Sequence, residues 1–405
     1  MNKAFAFMLI LFFICGSFVA GFSSVWASDY VENSWSTKAS MNQARSGMGV
    51  IAVEGKIYAI GGHRTFDDFL RPTDFVGTNE RYDPKTDTWV TLEPMPTARH
   101  NFAIAEYQGK IYCIGGYIVD GSRWITYDVV EVYNPNSNSW STKAALPFAE
   151  AGLTACVVDG KIYVFTSYPG SPVNSGSPVF MYNPVTDSWT AKTHMPNTTL
   201  HYYAPVVVDN KIVFTSLYLT SEIYDPATNE WTEIRKESPL ILIFNSVFAT
   251  QTTTGVYAPQ RIYVLGRQYG TTYLTNWSYD SNGTQVSNKG TPIFRENFGV
   301  AIVDDILYVI GGTSYKYTKS NTEAEVLAVN EQYVPMGYYG ALSSDMFDSL
   351  SRSNIISAMN LIVIVLIVRL VLIIGIIVIV VSSVAIGLVF YFKKRQKRTE
   401  RKIIR

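Results

Sequence analysis

Lys56-Ile57-Tyr58-Ala59-Ile60-Gly61-Gly62 recurs as Lys110-Ile111-Tyr112-Cys113-Ile114-Gly115-Gly116 and again as Ile306-Leu307-Tyr308-Val309-Ile310-Gly311-Gly312. Weaker copies lie between: Lys161 to Ser167, Lys211 to Ser216, and Arg261 to Arg267. Consecutive copies begin 45 to 54 residues apart. Self-similarity at that period marks supersecondary units that bury their faces only by stacking on one another. Each phrase is a short β-branched and aromatic run that ends on glycine, which reads as a strand.

A second set of markers fixes the register. Tyr82 precedes Trp89 by seven residues, and the same interval separates Tyr133 from Trp140, Tyr182 from Trp189 and Tyr224 from Trp231. Each interval holds a turn phrase such as Asp83-Pro84-Lys85-Thr86-Asp87 or Asn134-Pro135-Asn136-Ser137-Asn138. Proline presets φ and the Asx side chain bonds its own backbone, so these read as tight connections between strands. Seven residues beyond Trp89, Trp140 and Trp189 stand Pro96, Pro147 and Pro196.

The ordered Gly-Gly, Tyr and Trp markers resemble those of the Kelch-repeat family across roughly residues 34–335. The resemblance implies an all-β fold, a six-bladed β-propeller whose blades are four antiparallel strands, a to d from the axis outward. Gly-Gly is missing from blades three, four and five, and blade five has no Trp seven residues after Tyr279. Asn330-Glu331-Gln332-Tyr333 matches Asn79-Glu80-Arg81-Tyr82, but no Trp follows it. Ser34-Trp35-Ser36-Thr37 matches Ser139-Trp140-Ser141-Thr142 instead. The N-terminal strand is therefore expected to complete the sixth blade and remove the free edges of the ring.

In this topology the short a–b turns, such as Glu54-Gly55-Lys56, share one face with the c–d turns. The b–c loops, notably His63 to Thr78 and Tyr117 to Tyr127, read as long and irregular and open on the other face. Long loops on a rigid scaffold are where binding resides, so the b–c face is the candidate for recognising a protein or glycan. Residues leading into strand a share that face: Arg45, Arg99 with His100, Glu150, His201, and Arg295 with Glu296. Arginine suits carboxylates, so this set is the candidate ligand site at the channel mouth; the bland alternative is arginine paired with a neighbouring segment.

The alternative from another class is a carbohydrate-active enzyme, similar to the sialic-acid epimerases of the same repeat family, using these Arg, Glu and His residues. The chain has four histidines, and no zinc signature, phosphate loop or nucleophile elbow, so neither cofactor nor metal is expected. Cys113 and Cys156 occupy slots filled by Ala, Val or Ile in other repeats and read as small buried hydrophobes. Asp67-Asp68 lacks the spaced oxygens of a calcium loop. The sequons at Asn197, Asn276 and Asn282 suit a glycosylated surface.

The two ends read differently from the repeats. Residues 1–27 have the form of a secretory signal peptide: Lys3, an apolar run from Ala4 to Val19, and Val25-Trp26-Ala27 as the cleavage site. The propeller is assigned to 28–335 and a membrane-proximal linker to 336–360. A transmembrane helix is assigned to 361–392, within which Leu370 to Phe392 carries no charge. Lys393 to Arg405 forms a basic tail with eight Lys or Arg, expected on the cytoplasmic side and against anionic lipid. Setting aside that tail, Lys3 and Arg369, the chain holds 23 basic against 32 acidic residues. That sign excludes a nucleic-acid surface.

Overall fold

The computed structural model describes residues 30–166, 177–195, 205–215, 220–235, 244–268, 273–280, 284–317 and 322–338. The expected leader, transmembrane segment and basic tail lie outside these residues, as does the linker beyond Tyr338. Among the described residues no helix is long and apolar enough to cross a membrane.

Six four-stranded antiparallel sheets succeed one another along the chain. Blade one shows the pattern: strand a Gly49–Val53, b Lys56–Ile60, c Asn79–Asp83 and d Thr88–Leu92. In the next four blades strand a is Ala103–Tyr107, Leu153–Val158, Val206–Val208 and Phe244–Thr252. Blade six takes Gly299–Val303, Ile306–Ile310 and Asn330–Val334 from the C-terminal side and Ser34–Lys38 from the N-terminus as strand d. Trp35 lies opposite Tyr333 in that pairing, as Trp140 lies opposite Tyr133 in blade two. The N-terminal strand thus closes the ring.

In five of the blades strands a and b are joined by two-residue turns in which both residues have positive φ: Glu54-Gly55, Gln108-Gly109, Asp159-Gly160, Asp209-Asn210 and Asp304-Asp305. This is the turn whose twist matches that of the strands it joins, and glycine, Asn and Asp enter it at low cost. Strand b is sandwiched. Ile57, Tyr58, Ala59 and Ile60 are all buried, and the apolar clusters they join lie between blades. Ile57, Ala59 and Tyr82 pack on Ala301, Tyr308 and Ile310 of blade six, while Tyr112, Ile114 and Val132 pack on Ile162, Val164 and Tyr182 of blade three. No blade owns a complete core.

The Tyr and Trp markers are explained by one recurring set of bonds. Asp87, at positive φ in the c–d turn, accepts from the Tyr82 hydroxyl at 2.7 Å and from the backbone N–H of Ala39 in the preceding blade at 2.8 Å. The Trp89 indole N–H then donates to the carbonyl of the same Ala39 at 2.7 Å. Asn138 and Trp140 hold Glu93 in this way, Asp187 and Trp189 hold Ala144, and Asn229 and Trp231 hold Thr193. At the closure Asn33 and Trp35, from the N-terminus, hold Lys289 of blade five, and Tyr333 bonds Asn33. In blade five Gln285 lies opposite Tyr279, where the other blades place tryptophan, so this blade has no indole at that position.

The sequon Asn276-Trp277-Ser278 is a correction to the sequence reading. Asn276 is buried in strand c of blade five, opposite Asn288, and is not a glycan acceptor in the folded ring. Asn197 and Asn282 lie outside the described residues.

Replacing Asp87 with Ala removes two hydrogen bonds and leaves a Cβ residue at positive φ. The expected loss is about 2–3 kcal/mol in chemical denaturation. Asp87→Asn keeps Oδ1 and copies Asn138, so it is expected to stay within about 0.5 kcal/mol of the parent.

Candidate functional site

On the b–c face the structure replaces the expected irregular loops with short hairpins. In blade one His63–Phe66 pairs with Pro72–Phe75, in blade two Tyr117–Asp120 pairs with Arg123–Thr126, and in blade six Thr313–Tyr317 pairs with Thr322–Val326. The first is held by Thr65 against Thr73 at 2.8 Å and by an Arg64–Asp74 ion pair at 2.5 Å. Its tip is closed by Asp67, which accepts from the backbone N–H groups of Phe69 and Arg71 and from the Arg71 guanidinium. Those bonds hold the Asp67 carboxyl below its usual range and give Asp67 a structural role. Arg71 also reaches Ser122 at the tip of the second hairpin, 3.2 Å away, so the two tips touch.

The hairpins stand on a backbone seam. The residue after each lead-in arginine bridges the first residue of its own hairpin: Ser46 with His63, His100 with Tyr117, and Glu296 with Thr313. The next residue passes a hydrogen bond between blades: Gly47 N–H to Asn297, Asn101 N–H to Gly47, and Gly152 N–H to Asn101. The second glycine of each pair adds another. Gly62, Gly116 and Gly312 donate to the carbonyls of Arg99, Glu150 and Arg45 in the following blade. A Cβ on Gly62 would stand 2.7 Å from the Ser46 carbonyl oxygen, and φ there is +100°. Only glycine lets the strand end pass so close.

The three lead-in arginines face into their blades. Arg45, Arg99 and Arg295 are 0% exposed and pair with Glu80, Glu131 and Glu331 on strand c. Arg45 also donates to the carbonyls of Ala59, Gly61 and Thr78; Arg99 to those of Thr97, Cys113 and Gly115; Arg295 to that of Val309. Burial lowers the pKa of Arg45 and Arg295, and the facing carboxylates oppose that shift. Recognition of an anion through these groups would require breaking buried pairs. Arg, Glu and Gly-Gly occur together in blades one, two and six. Blade three, with Glu150 and Phe180 at the paired positions, lacks Gly-Gly as well.

Of the other predicted residues, Glu150 is half-buried and its carboxylate accepts the backbone N–H of Ala151. Glu296 is half-buried in its bridge to Thr313. His201 lies outside the described residues. His100 is buried with its Nδ1 3.2 Å from Nδ1 of His63, a residue the sequence did not single out. Burial holds His63 down at about 4 and His100 well below the ordinary histidine range. Six rings run together here: Phe66 on His63, Phe75 and His63 on His100, His100 on Tyr117 at 4.1 Å, and Tyr117 on Trp124 at 4.6 Å. The series ends in solvent, where Trp124 is 58% exposed; Phe69, at the tip of the first hairpin, is 78% exposed. The Arg71 guanidinium lies over the Phe69 ring, 5.1 Å from its centre.

Inside the ring a cavity of about 480 Å³ is lined by apolar residues such as Ile51, Ile104, Leu153 and Val300 together with Thr154, Gln251, Thr252 and Thr254, with no titratable side chain among its lining residues. Cys113 and Cys156 are free thiols, and burial pushes Cys113 up to about 12. Among the described residues no cluster of His, Cys, Asp and Glu could hold a metal ion.

Comparison with known proteins agrees with this geometry. Residues 44–96 and 98–147 match the Kelch motif. The chain is 34% identical over 157 residues to Kelch-like protein 35 of Mus musculus, covering 37% of this chain and 26% of that protein. It is 30% identical over 142 residues to Kelch-like protein 25 of Xenopus tropicalis, with 35% and 24% covered. A Danio rerio relative, Kelch repeat and BTB domain-containing protein 12, is 30% identical over 149 residues, with 34% and 24% covered. The similarity thus spans about a quarter of the length of these relatives.

Arg99→Met strands the buried Glu131 carboxylate and is expected to cost about 3–5 kcal/mol of stability. Joining it to Glu131→Leu should recover more than half of that loss in thermal denaturation, because an uncompensated charge is worse than none. Full retention of stability by Arg99→Met alone would remove the structural role assigned to the pair.

Proposed function

We propose that this chain, a Kelch-repeat β-propeller, is a membrane-anchored binding module that takes a protein partner on its b–c face. The observation that carries the reading is the pair of touching hairpin tips that project Phe69 and Trp124 into solvent beside Arg71. Exposed aromatics together with arginine are the residues that anchor protein interfaces. They stand here on hairpins held by ion pairs and a backbone seam, so little conformational entropy remains to be lost on binding. Glycan recognition, the other partner class the sequence suggests, would draw on the same exposed rings.

The membrane part of the reading rests on the sequence. The uncharged run from Leu370 to Phe392 is long enough to span hydrocarbon, and the basic residues from Lys393 onward favour a cytoplasmic tail. With a leader at 1–27, the propeller would face the outside.

Two measurements check these parts separately. In cells, the full chain is expected to resist alkaline carbonate extraction, whereas a chain stopped after Asp345 is released into the medium. Recovery of the full chain in the carbonate supernatant would defeat the anchor. For the face, partners captured by proximity labelling are compared between the parent and a Phe69→Ala/Trp124→Ala variant. A true partner is expected to fall at least about tenfold, with the melting temperature unchanged because both side chains are exposed. Val185→Ala, an exposed change in a c–d turn, serves as the control. Capture that survives the double variant places the partner elsewhere.

A further inference from the structure

The His63–His100 contact has an equivalent one blade away. At the junction of blades six and one, the hairpin-base residue Thr313 donates its hydroxyl to Ser46 at 2.7 Å. At the junction of blades one and two the same two positions hold His63 and His100, Nδ1 to Nδ1 at 3.2 Å. One junction is closed by hydroxyls that do not titrate in the physiological range, the other by two imidazoles that do.

In the neutral state one Nδ1–H donates to the other Nδ1, and each ring leaves Nε2 buried without a hydrogen-bond partner. A first added proton places a charge among Phe66, Phe75 and Tyr117. A second puts hydrogen on both facing nitrogens and turns the contact into a repulsion. Among the described residues no acidic group hydrogen-bonds either ring. Arg64 and Asp74 on the first hairpin pair with each other, and Arg99 beside His100 pairs with Glu131. Asp120 and Arg123 belong to the second hairpin, Glu150 bonds Ala151, and no carboxylate hydrogen-bonds either imidazole. Relief therefore requires the rings to separate, and both are tied to hairpins: His63 begins the first, and His100 stacks on Tyr117, which begins the second.

We propose that His63 and His100 form an acid-operated latch that holds the two hairpins together near neutral pH and lets them part in acid. Its consequence for binding rests on the b–c face being the docking surface; its chemistry does not. The direction follows from protonation. Once separated and hydrated the rings bind protons near 6.5, whereas the closed arrangement holds His63 near 4. The closed form is thus fully favoured above 6.5 and loses ground as pH falls from 6.5 through 4. For His63 alone the ratio of closed to open should fall about 80-fold over that span, and His100 adds to it in the same direction.

The test uses the full chain without any partner. Trp124 emission, isolated by subtracting the spectrum of a Trp124→Phe variant, is followed from pH 7.5 to 4 together with far-ultraviolet circular dichroism. Expected is a reversible red shift with the sheet signal unchanged. It should be absent in His63→Thr/His100→Ser, which copies the hydroxyl pair of the neighbouring junction. The chain has only four histidines, so their Cε1–H resonances can be titrated as well, and those of His63 and His100 should move with the Trp124 shift. The latch is overturned if the double variant keeps the transition, if the parent shows none, or if both rings titrate near 6.5 with Trp124 unmoved. If the double variant does not fold, the resonance titration decides alone. A failed latch leaves partner capture by Phe69 and Trp124 intact, and a failed docking face leaves this titration unchanged.

Discussion

A single side-chain oxygen at each of four c–d turns holds one blade to the next. Oδ1 of Asp87, Asn138, Asp187 and Asn229 accepts from the tyrosine of its own sheet and from a backbone N–H of the preceding blade. The residue sits in the left-handed region, which Asn and Asp tolerate better than other Cβ residues. The tryptophan two places on completes the clasp through its indole N–H. Because the apolar clusters lie between sheets, loosening a clasp exposes two blades at once. Everything on the b–c face depends on this: a hairpin can be precisely placed only if the sheets beneath it are fixed.

The ring is not uniform. Blades six, one, two and three are joined by the clasp, by the glycine N–H bonds and by the seam through Asn297, Gly47, Asn101 and Gly152. Blade five lacks the indole, with Gln285 in its place opposite Tyr279. The well-joined arc is also the one that carries the three hairpins. Rigidity and candidate function therefore coincide in the sequence, since Gly-Gly, arginine and glutamate are kept in blades one, two and six and absent together from blade three.

Much of this was legible beforehand. The Tyr–Trp interval gave the strands, the turns and the closing role of Ser34–Lys38, because each marker has a local and repeated cause. The hairpins were read as irregular because runs as short as His63–Phe66 are too brief to show alternation, and their pairing depends on contacts such as Thr65 with Thr73. The repeat aligns the arginines with one another and points to the channel mouth, while the structure buries them against strand c. Their partners were visible as Glu80, Glu131 and Glu331, two places before a marker tyrosine, yet proximity across a sheet is not written in linear spacing. His63 stayed unremarked for a similar reason: its importance comes from His100, which belongs to another blade.

The closure by Ser34–Lys38 bears on how the molecule is made. Ser34 pairs with Val334, so the first strand to emerge from the ribosome must wait for one of the last. At about 5–20 residues per second the interval is roughly 15–60 seconds. During it, strand c of blade six does not yet exist, and the early segment has no sheet to join. A prematurely terminated product would never receive its outer strand, and would carry an unpaired edge at one end and an unsatisfied indole at the other. The joint that seals the ring thereby makes synthesis through Val334 a condition of its own burial.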